Sequence, residues 1–472
     1  MIRIAYAVLV LCTTAAVSVP AQTLTTLHRF DGADGANPAA ALVQATDGDL
    51  YGTTLGGGAN AKGTIFKITT SGKLTVLYSF CAQSQCTDGD GPSGLVQATN
   101  GDFYGTTSGA GANGGGTVFK ITRSGTLSTL YAFCAESACA DGRSPQAALI
   151  QATNGDLFGT TFGYDGAGAT VFKITPSGIL TTLYTFCAQG GTCEDGQAPV
   201  GALVQVSDED FYGTTTQGGT DGGYGTVFKI TASGALTMLF SFDGTDGSGP
   251  GSLVQATTGE FYGTTSGGGA NDGSGTVFKI TPGGTLTTLY SFCSLNGCSD
   301  GYAPFGGLTQ GTDGNFYGTT GEGGSIHNQG TVFEIAASGT LTTLYTFCSQ
   351  SPCTGGSEPI AGLVQSTNGD FYGSTSASGI RGGDGAIFSL SVGLGPFVKT
   401  QPISGKIGSA VKILGTDLTG AASVTFNGAA AVFEALSSSE IKATVPAGAT
   451  TGKVQVVTPG GTLSSNVSFR VP

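Results

Sequence analysis

Aspartate followed by glycine, four residues ahead of a proline, recurs at Asp34, Asp88, Asp141, Asp195, Asp246 and Asp300, and Gly355 takes the aspartate's place in a seventh copy. A ring of carboxylates could bind Ca²⁺ or a hydroxyl-rich ligand, because hard cations favour carboxylate oxygen. The competing expectation, and the favoured one, is that each aspartate hydrogen-bonds its own turn while glycine supplies a positive φ. The chain holds only two histidines. His28 stands in TLHRF where its sister copies have Tyr or Phe, and reads as a packing variant. His327 lies in the glycine-rich stretch GEGGSIHNQG, and His327 with Tyr302, or else an acid pair, could act as general acid and base on a polysaccharide. No Ser/His/Asp constellation can be assembled, and no phosphate-cradling glycine motif precedes a helix. Lyase or hydrolase chemistry therefore has no further support. Ligand specificity is expected from loop residues that differ between copies: Tyr164, Asp165, Asp221, Tyr224, Asn271, Asp272, Glu322, His327, Asn328, Arg381 and Asp384, with Tyr302 on a neighbouring connection. Tyr, Asn and Asp suit sugars through stacking and hydrogen bonds. Tolerated surface variation would produce the same pattern.

The elements that must position these residues repeat. TLTTLHRF (23–30), KLTVLYSF (73–80), TLSTLYAF (126–133), ILTTLYTF (179–186), ALTMLFSF (235–242), TLTTLYSF (285–292) and TLTTLYTF (340–347) return about every 50–56 residues. Each is followed by an apolar run such as GLVQAT, a turn such as NG, then DFYGTT, a glycine-rich loop and TVFKIT. Short pieces rich in Val, Ile, Thr, Tyr and Phe, bounded by Gly, Asn or Asp, read as strands. Four strands per unit is the size of a propeller blade. The chain enters on a fourth-strand copy and leaves the array on the third-strand copy AIFSLS (386–391). Residues 23–30 are thus expected to complete the last blade and leave no open sheet edge. A second pattern pairs Asp102, Asp156 and Asp210 with Lys120, Lys173 and Lys229 on the following strand. Asn315 and Glu334 replace both partners in the sixth copy, which points to a cross-strand charge pair.

Cysteines come in pairs inside the connection from one blade to the next: Cys81 with Cys86, Cys134 with Cys139, Cys187 with Cys193, Cys293 with Cys298, and Cys348 with Cys353. Connections 30–38 and 242–250 are shorter and lack cysteine. Extra length and the pair come and go together, as expected if each pair closes a disulfide across its own loop. A ring this small is worth about 2 kcal/mol by chain entropy. A Cys-x-x-x-x-Cys metal site would need a nearby His or a second cysteine pair, and neither is present in these stretches.

The chain has 472 residues, 83 of them glycine, with 39% hydrophobic and 10% charged residues and a formal net charge of −13. Too many apolar residues are present for disorder, and the acidity argues against nucleic acid or an anionic membrane as partner. MIRIAYAVLVLCTTAAVSVPAQ carries a basic start, an apolar run and small residues, which predicts a secretory signal cut after Ala21. Nothing later is apolar for long enough to insert into a membrane. A soluble monomer, secreted or held at the cell surface, is expected.

The unit LVQATNGDFYGTTSGAGANGGGTVFKITRSGTLSTLYAF resembles the Gloeo/Verruco (GloVer) tandem repeat of exported bacterial proteins, over residues 23–393. The resemblance implies a secreted repeat protein of unestablished activity and brings no catalytic residues. From Pro396 the composition changes, and VKILGTDL, VTFNG, IKATVPAG and VQVVTPGG are similar to an IPT/TIG domain. That implies an immunoglobulin-like sandwich used as a spacer or adhesion element. The expected fold is therefore all-β: a signal at 1–21, a closed seven-bladed β-propeller at 22–395, and an immunoglobulin-like β-sandwich at 396–472. The expected role is a non-catalytic scaffold binding glycan, peptide or cell surface through its loop-rich face, with no organic cofactor; a purely structural spacer is the third reading.

Overall fold

A computed structural model describes residues 22–163, 168–188, 191–206, 210–271, 273–324, 327–349, 353, 355–378 and 383–472; the expected signal falls outside them. Among the described residues the repeat region forms seven antiparallel sheets, numbered 1 to 7 in chain order by their second strands Leu50–Thr54, Phe103–Gly109, Leu157–Thr161, Asp210–Thr215, Phe261–Gly267, Phe316–Thr320 and Phe371–Thr375, the first six each built from one repeat. Sheet 2, whose first strand is the longest of the set, has strands Asp90–Gln97, Phe103–Gly109, Thr117–Ile121 and Leu127–Ala132 in chain order across the sheet. Sheet 7 takes its first three strands from Val364–Gln365, Phe371–Thr375 and Ala386–Ser391. Its fourth is Thr23–Arg29, which pairs antiparallel with Ala386–Ser391. The N-terminal strand therefore completes the last sheet, as its position in the sequence predicts.

The repeated residues explain the sheet. Gly105 of FYGTT lies opposite Phe119 of TVFKI. A Cβ there would sit 2.6 Å from the Phe119 ring and 3.0 Å from Leu95, so only glycine lets the ring close over the strand. Thr107 and Thr117 share a buried hydroxyl–hydroxyl hydrogen bond of 2.9 Å across the same strands. Facing sheets then bury aromatic rings against each other. Tyr51 stacks on Phe103 at 4.2 Å and Tyr262 on Phe316 at 3.9 Å. The closing joint is built like the others: Phe30 meets Phe66 at 5.3 Å, and Phe80 meets Phe119 at 5.3 Å. Phe30, Leu42, Phe66, Tyr372 and Ile387 form one buried cluster joining sheet 7 to sheet 1. Each fully buried Phe contributes about 1.5–3 kcal/mol.

The first strands end in a glutamine that was not singled out in the sequence. The side-chain carbonyl of Gln97 accepts from the amide of Thr46 in sheet 1 at 3.0 Å, and its NH₂ donates to Gly101 at 3.2 Å. Gln151, Gln310 and Gln365 accept in the same way from Thr99, Thr257 and Thr312 of the preceding sheet. Gln44 accepts from Thr367 and carries the belt across the closing joint.

Strands Lys399–Gln401, Ala410–Leu414, Phe433–Ala435 and Glu440–Thr444 form one sheet of the C-terminal unit. Ala429–Ala430, Ser423–Phe426, Val454–Thr458 and Gly461–Ser464 form the other. Val411, Ile413, Val424, Phe426, Ile441, Val456 and Phe469 lie buried in the core they enclose. This sandwich is fixed to the turn side of the repeat region. Phe397 donates its amide to Thr367 at 3.0 Å, Gln401 donates to the Gln97 carbonyl at 2.6 Å, and Ser439 donates to the Thr46 carbonyl at 3.0 Å. Lys399 and Arg470 donate to the carbonyls of Gln365 and Val206. The anchors reach sheets 1, 2, 4 and 7. A spacer hinged on a loose linker, the usual reading of such a module, does not describe this attachment.

Candidate functional site

Two kinds of loop share the face opposite the sandwich: the second-to-third-strand glycine-rich loops and the sheet-to-sheet connections that carry the cysteines. All five predicted cysteine pairs are disulfide-bonded, each inside one connection.

The recurring aspartates do not make an acidic rim. Asp88, Asp141 and Asp300 are fully buried. Asp141 accepts the Tyr131 hydroxyl at 2.9 Å and the amides of Ala135 and Glu136 at 2.9 and 3.3 Å. Asp88, Asp195 and Asp300 take Tyr78, Tyr184 and Tyr290 in the same way at 2.8, 2.9 and 2.8 Å. Gly89 and Gly142 follow at φ 94° and 105°, which a side chain would strain. Each carboxylate thus ties the outer strand to its disulfide loop, with its lone pairs already occupied. Asp34 and Asp246 belong to the short connections and are half-exposed, and both accept backbone amides of their own turns. Among the described residues no group of three or more His, Cys, Asp or Glu side chains is placed to hold a metal ion.

His28 does more than pack. It meets Phe30 edge-on at 5.2 Å, as the tyrosines meet their phenylalanines, and its Nε2 lies 2.6 Å from Asp34. It is the tyrosine's stand-in for the same latch. In the seventh copy Gly355 leaves Tyr345 with no carboxylate, and a Cβ on that glycine would meet the Tyr345 hydroxyl at 2.9 Å. Two of the three expected charge pairs form, Lys120 to Asp102 at 3.9 Å and Lys229 to Asp210 at 3.0 Å; among the described residues Asp156 makes no ion pair with Lys173 and instead accepts from Asn154 at 3.2 Å. Asn315 donates to Glu334 at 2.5 Å where both charges of the pair are replaced.

The variable loop residues separate. Tyr164, Asp165, Asp272 and Arg381 lie outside the described residues. Asn271 donates its amide to the Ser291 carbonyl at 3.0 Å, a loop-closing bond also made by Asn113 to Ala132. Asp221 accepts from Thr220 at 3.0 Å. Tyr224 is exposed and covers Gly244. Asp384 borders the same side of Gly32, and its carbonyl accepts the Asn37 amide at 2.8 Å.

Glu322, His327 and Asn328 do come together. They line an open cavity of about 430 Å³ at the joint of sheets 6 and 7, with Phe305, Gln329 and Glu358. His327 places Nδ1 3.2 Å from the Cys348 carbonyl, against the disulfide loop. Tyr302 stands behind the lining and donates its hydroxyl to Glu322 at 2.6 Å. That bond, and then burial, push the Tyr302 phenol up to about 12, so it keeps its proton near neutrality and is a poor general base there. Phe305, Gln329 and Glu358 were missed. The signal for Phe305 was present: it follows Pro304 and is aromatic where the other copies carry Ala39, Ser93, Gln146, Val200, Gly251 and Ile360. Glu358 keeps φ 56°, as Ala198 and Ala303 do at sister positions, so the backbone is common to the repeats and the charge is new. Phe305 also borders the narrow central channel, 340 Å³ in volume and lined by the small residues that precede the first strands.

Ringed four-stranded sheets, a loop face carrying a cavity, and a sandwich fixed to the other face define a propeller-like all-β protein with an appended β-sandwich domain. Residues 13–222 and 190–388 match the Gloeobacter/Verrucomicrobia repeat, and the chain belongs to that family. Residues 397–471 match the IPT/TIG domain. No curated protein matches the chain. Among solved structures it is similar to a catalytically inactive H270A virginiamycin B lyase from Staphylococcus aureus with quinupristin, at 17% identity and TM-score 0.53, over 78% of this chain and 99% of that one. It is also similar to the extracellular domains of BT3049 and BT4673, described as hybrid two component systems, from B. thetaiotaomicron. Identities there are 11% and 12% and TM-scores 0.52 and 0.53, over 92% and 84% of this chain. The chain spans about half the length of those two domains, 54% and 46%. At these identities the likeness concerns the fold. No helix among the described residues is long and apolar enough to cross a membrane.

Proposed function

We propose that the protein is an exported, non-catalytic scaffold that binds glycan through its loop-rich face. In this reading residues 1–21 direct export, 22–395 are a closed seven-bladed propeller acting as a monomer, and 396–472 are the TIG sandwich. Five small disulfide rings suit an oxidising compartment outside the cytoplasm. The observation that carries the proposal is the inequality of the two faces. The sandwich occupies the turn side through anchors on four sheets. On the loop side four connections are stiffened twice, by a disulfide and by a Tyr–Asp latch, and one of them, with Cys293–Cys298 and the Tyr290–Asp300 latch, leads into Phe305 at the edge of an open polar cavity. Stiff loops lose little conformational entropy when they hold a ligand, which favours recognition. Catalysis by His327 and Tyr302 has less support, because the tyrosine is committed to Glu322 and holds its proton.

The test is a glycan array probed with the disulfide-bonded protein comprising residues 22–472, in calcium and in chelator. Saturable binding that survives chelation is the expected result, since the buried aspartates are already satisfied. Silence under both conditions would replace the binding role with that of a spacer.

A further inference from the structure

The cavity at the joint of sheets 6 and 7 differs from the rest of the loop face in its chemistry. Two exposed carboxylates, Glu322 and Glu358, border it, and among the described residues no lysine or arginine does. Gln329 lines it while only 8% exposed. The Gln329 NH₂ is committed to the His327 carbonyl at 2.6 Å, but its side-chain carbonyl is buried without a hydrogen-bond partner. A buried acceptor left unmade costs free energy that a donor from a ligand would recover. Phe305 presents a ring that is 51% exposed, an unusual state for so large an apolar side chain beside a polar cavity. Asn328 adds an amide on the rim, held at φ 52°.

The ligand these groups fit is rich in donors, carries positive charge and has one apolar face. A neutral sugar would supply donors but no counter-charge for the two carboxylates, and a uronic or sialic sugar would be repelled by them. A lysine side chain carries the charge but leaves most of a 430 Å³ cavity empty and has no flat face for Phe305. A hexosamine with a free amine meets all three demands. Its ammonium has three N–H donors for carboxylate oxygen, its hydroxyls reach the amide carbonyls, and its C–H face covers an aromatic ring.

The geometry points to this cavity as a subsite for an amine-bearing sugar, in which Glu322 and Glu358 hold the ammonium, Gln329 accepts a hydroxyl and Phe305 covers the ring face. This rests on the glycan-binding reading and names the sugar class. Tyr302 is a positioning residue: its hydroxyl fixes one oxygen of Glu322 and leaves the other for the ligand.

Calorimetric titration of residues 22–472 with a glucosamine tetramer, an N-acetylglucosamine tetramer, maltotetraose and a tetralysine peptide tests it. The glucosamine tetramer is expected to bind at least tenfold more tightly than the other three. Glu358→Gln, which keeps shape and removes charge, is expected to weaken that binding about tenfold, and Phe305→Ala by a similar factor, with melting temperatures unchanged because both side chains are exposed. Equal binding of the acetylated tetramer or maltotetraose would overturn the amine assignment and leave the glycan reading standing. Preference for tetralysine would overturn it in favour of a basic peptide. Binding of the glucosamine tetramer that Glu358→Gln and Phe305→Ala leave intact would move the site elsewhere. No sugar binding at all, here or on the array, would overturn both readings.

Discussion

Tyr131→Phe removes one hydroxyl from a latch whose remaining parts stay in place. The Tyr131 hydroxyl donates to the fully buried Asp141 at 2.9 Å, and Asp141 also gathers the amides of Ala135 and Glu136. A hydrogen bond to a charged group is worth about 1.5–3 kcal/mol. Tyr131 is only half-buried, so water competes for its hydroxyl and the low end applies, about 1.5 kcal/mol. If the loss is local, exchange of the Ala135 and Glu136 amides should quicken about tenfold, since 1.4 kcal/mol is one factor of ten. The control is Tyr345→Phe, where Gly355 replaces the aspartate and no latch exists to lose. Hydrogen exchange by mass spectrometry on the 134–142 peptide reads the first variant, and the equivalent peptide after Phe347 reads the second. Less than a threefold change in Tyr131→Phe, or an equal loosening in Tyr345→Phe, would refute the idea that the carboxylate organises the loop.

Further outcomes follow from the same structure. Burial, then the bond to Asp195, pushes Tyr184 up to about 12, and burial, with Asp300 as acceptor, holds Tyr290 at about 12. Unfolded tyrosine ionises near 10, so the folded state keeps its proton longer; the latches are intact below about pH 10 and are lost as pH rises through 12. Absorbance titration of tyrosinate should show a late-ionising group that merges at about 10 when the protein is unfolded. Gln97→Ala strands the buried Thr46 amide and should cost about 1–3 kcal/mol in denaturant unfolding, whereas Gln455→Ala on the exposed sandwich surface should cost little. Thr375 lies opposite Ala386, where six other sheets place a second threonine, and its buried hydroxyl has no partner. Ala386→Thr should therefore stabilise by about 1 kcal/mol, seen as a raised melting temperature.

The strands, their order and the closing role of residues 23–30 were legible because each repeat restates the same alternation, and because the copies at the two ends are offset by one strand. Disulfide pairing was legible for a related reason, since length and cysteines vary together. The meaning of the aspartates was not. Their partners are tyrosines about ten residues earlier on the outer strand, although the correlated changes to His28 and Gly355 carried that information. The glutamine belt was hidden by its regularity: a residue repeated in every copy reads as part of the strand. Attachment of the sandwich had no sequence signal at all, because Gln401, Ser439, Lys399 and Arg470 all bond to backbone carbonyls, which every residue offers. The cavity at sheets 6 and 7 was half legible. Glu322, His327 and Asn328 stood out as loop variants, but Gln329 and Glu358 reach it only through the fold.

The inequality of the two faces is the claim on which the rest stands, and hydroxyl-radical footprinting of residues 22–472 tests it without needing a ligand. Phe305, half-exposed on the loop face, should oxidise readily, while Phe397, 3% exposed beneath the sandwich, should be protected. Protection of Phe305 together with rapid oxidation of Phe397 would mean that the loop face is covered and the turn face free, and would contradict the account.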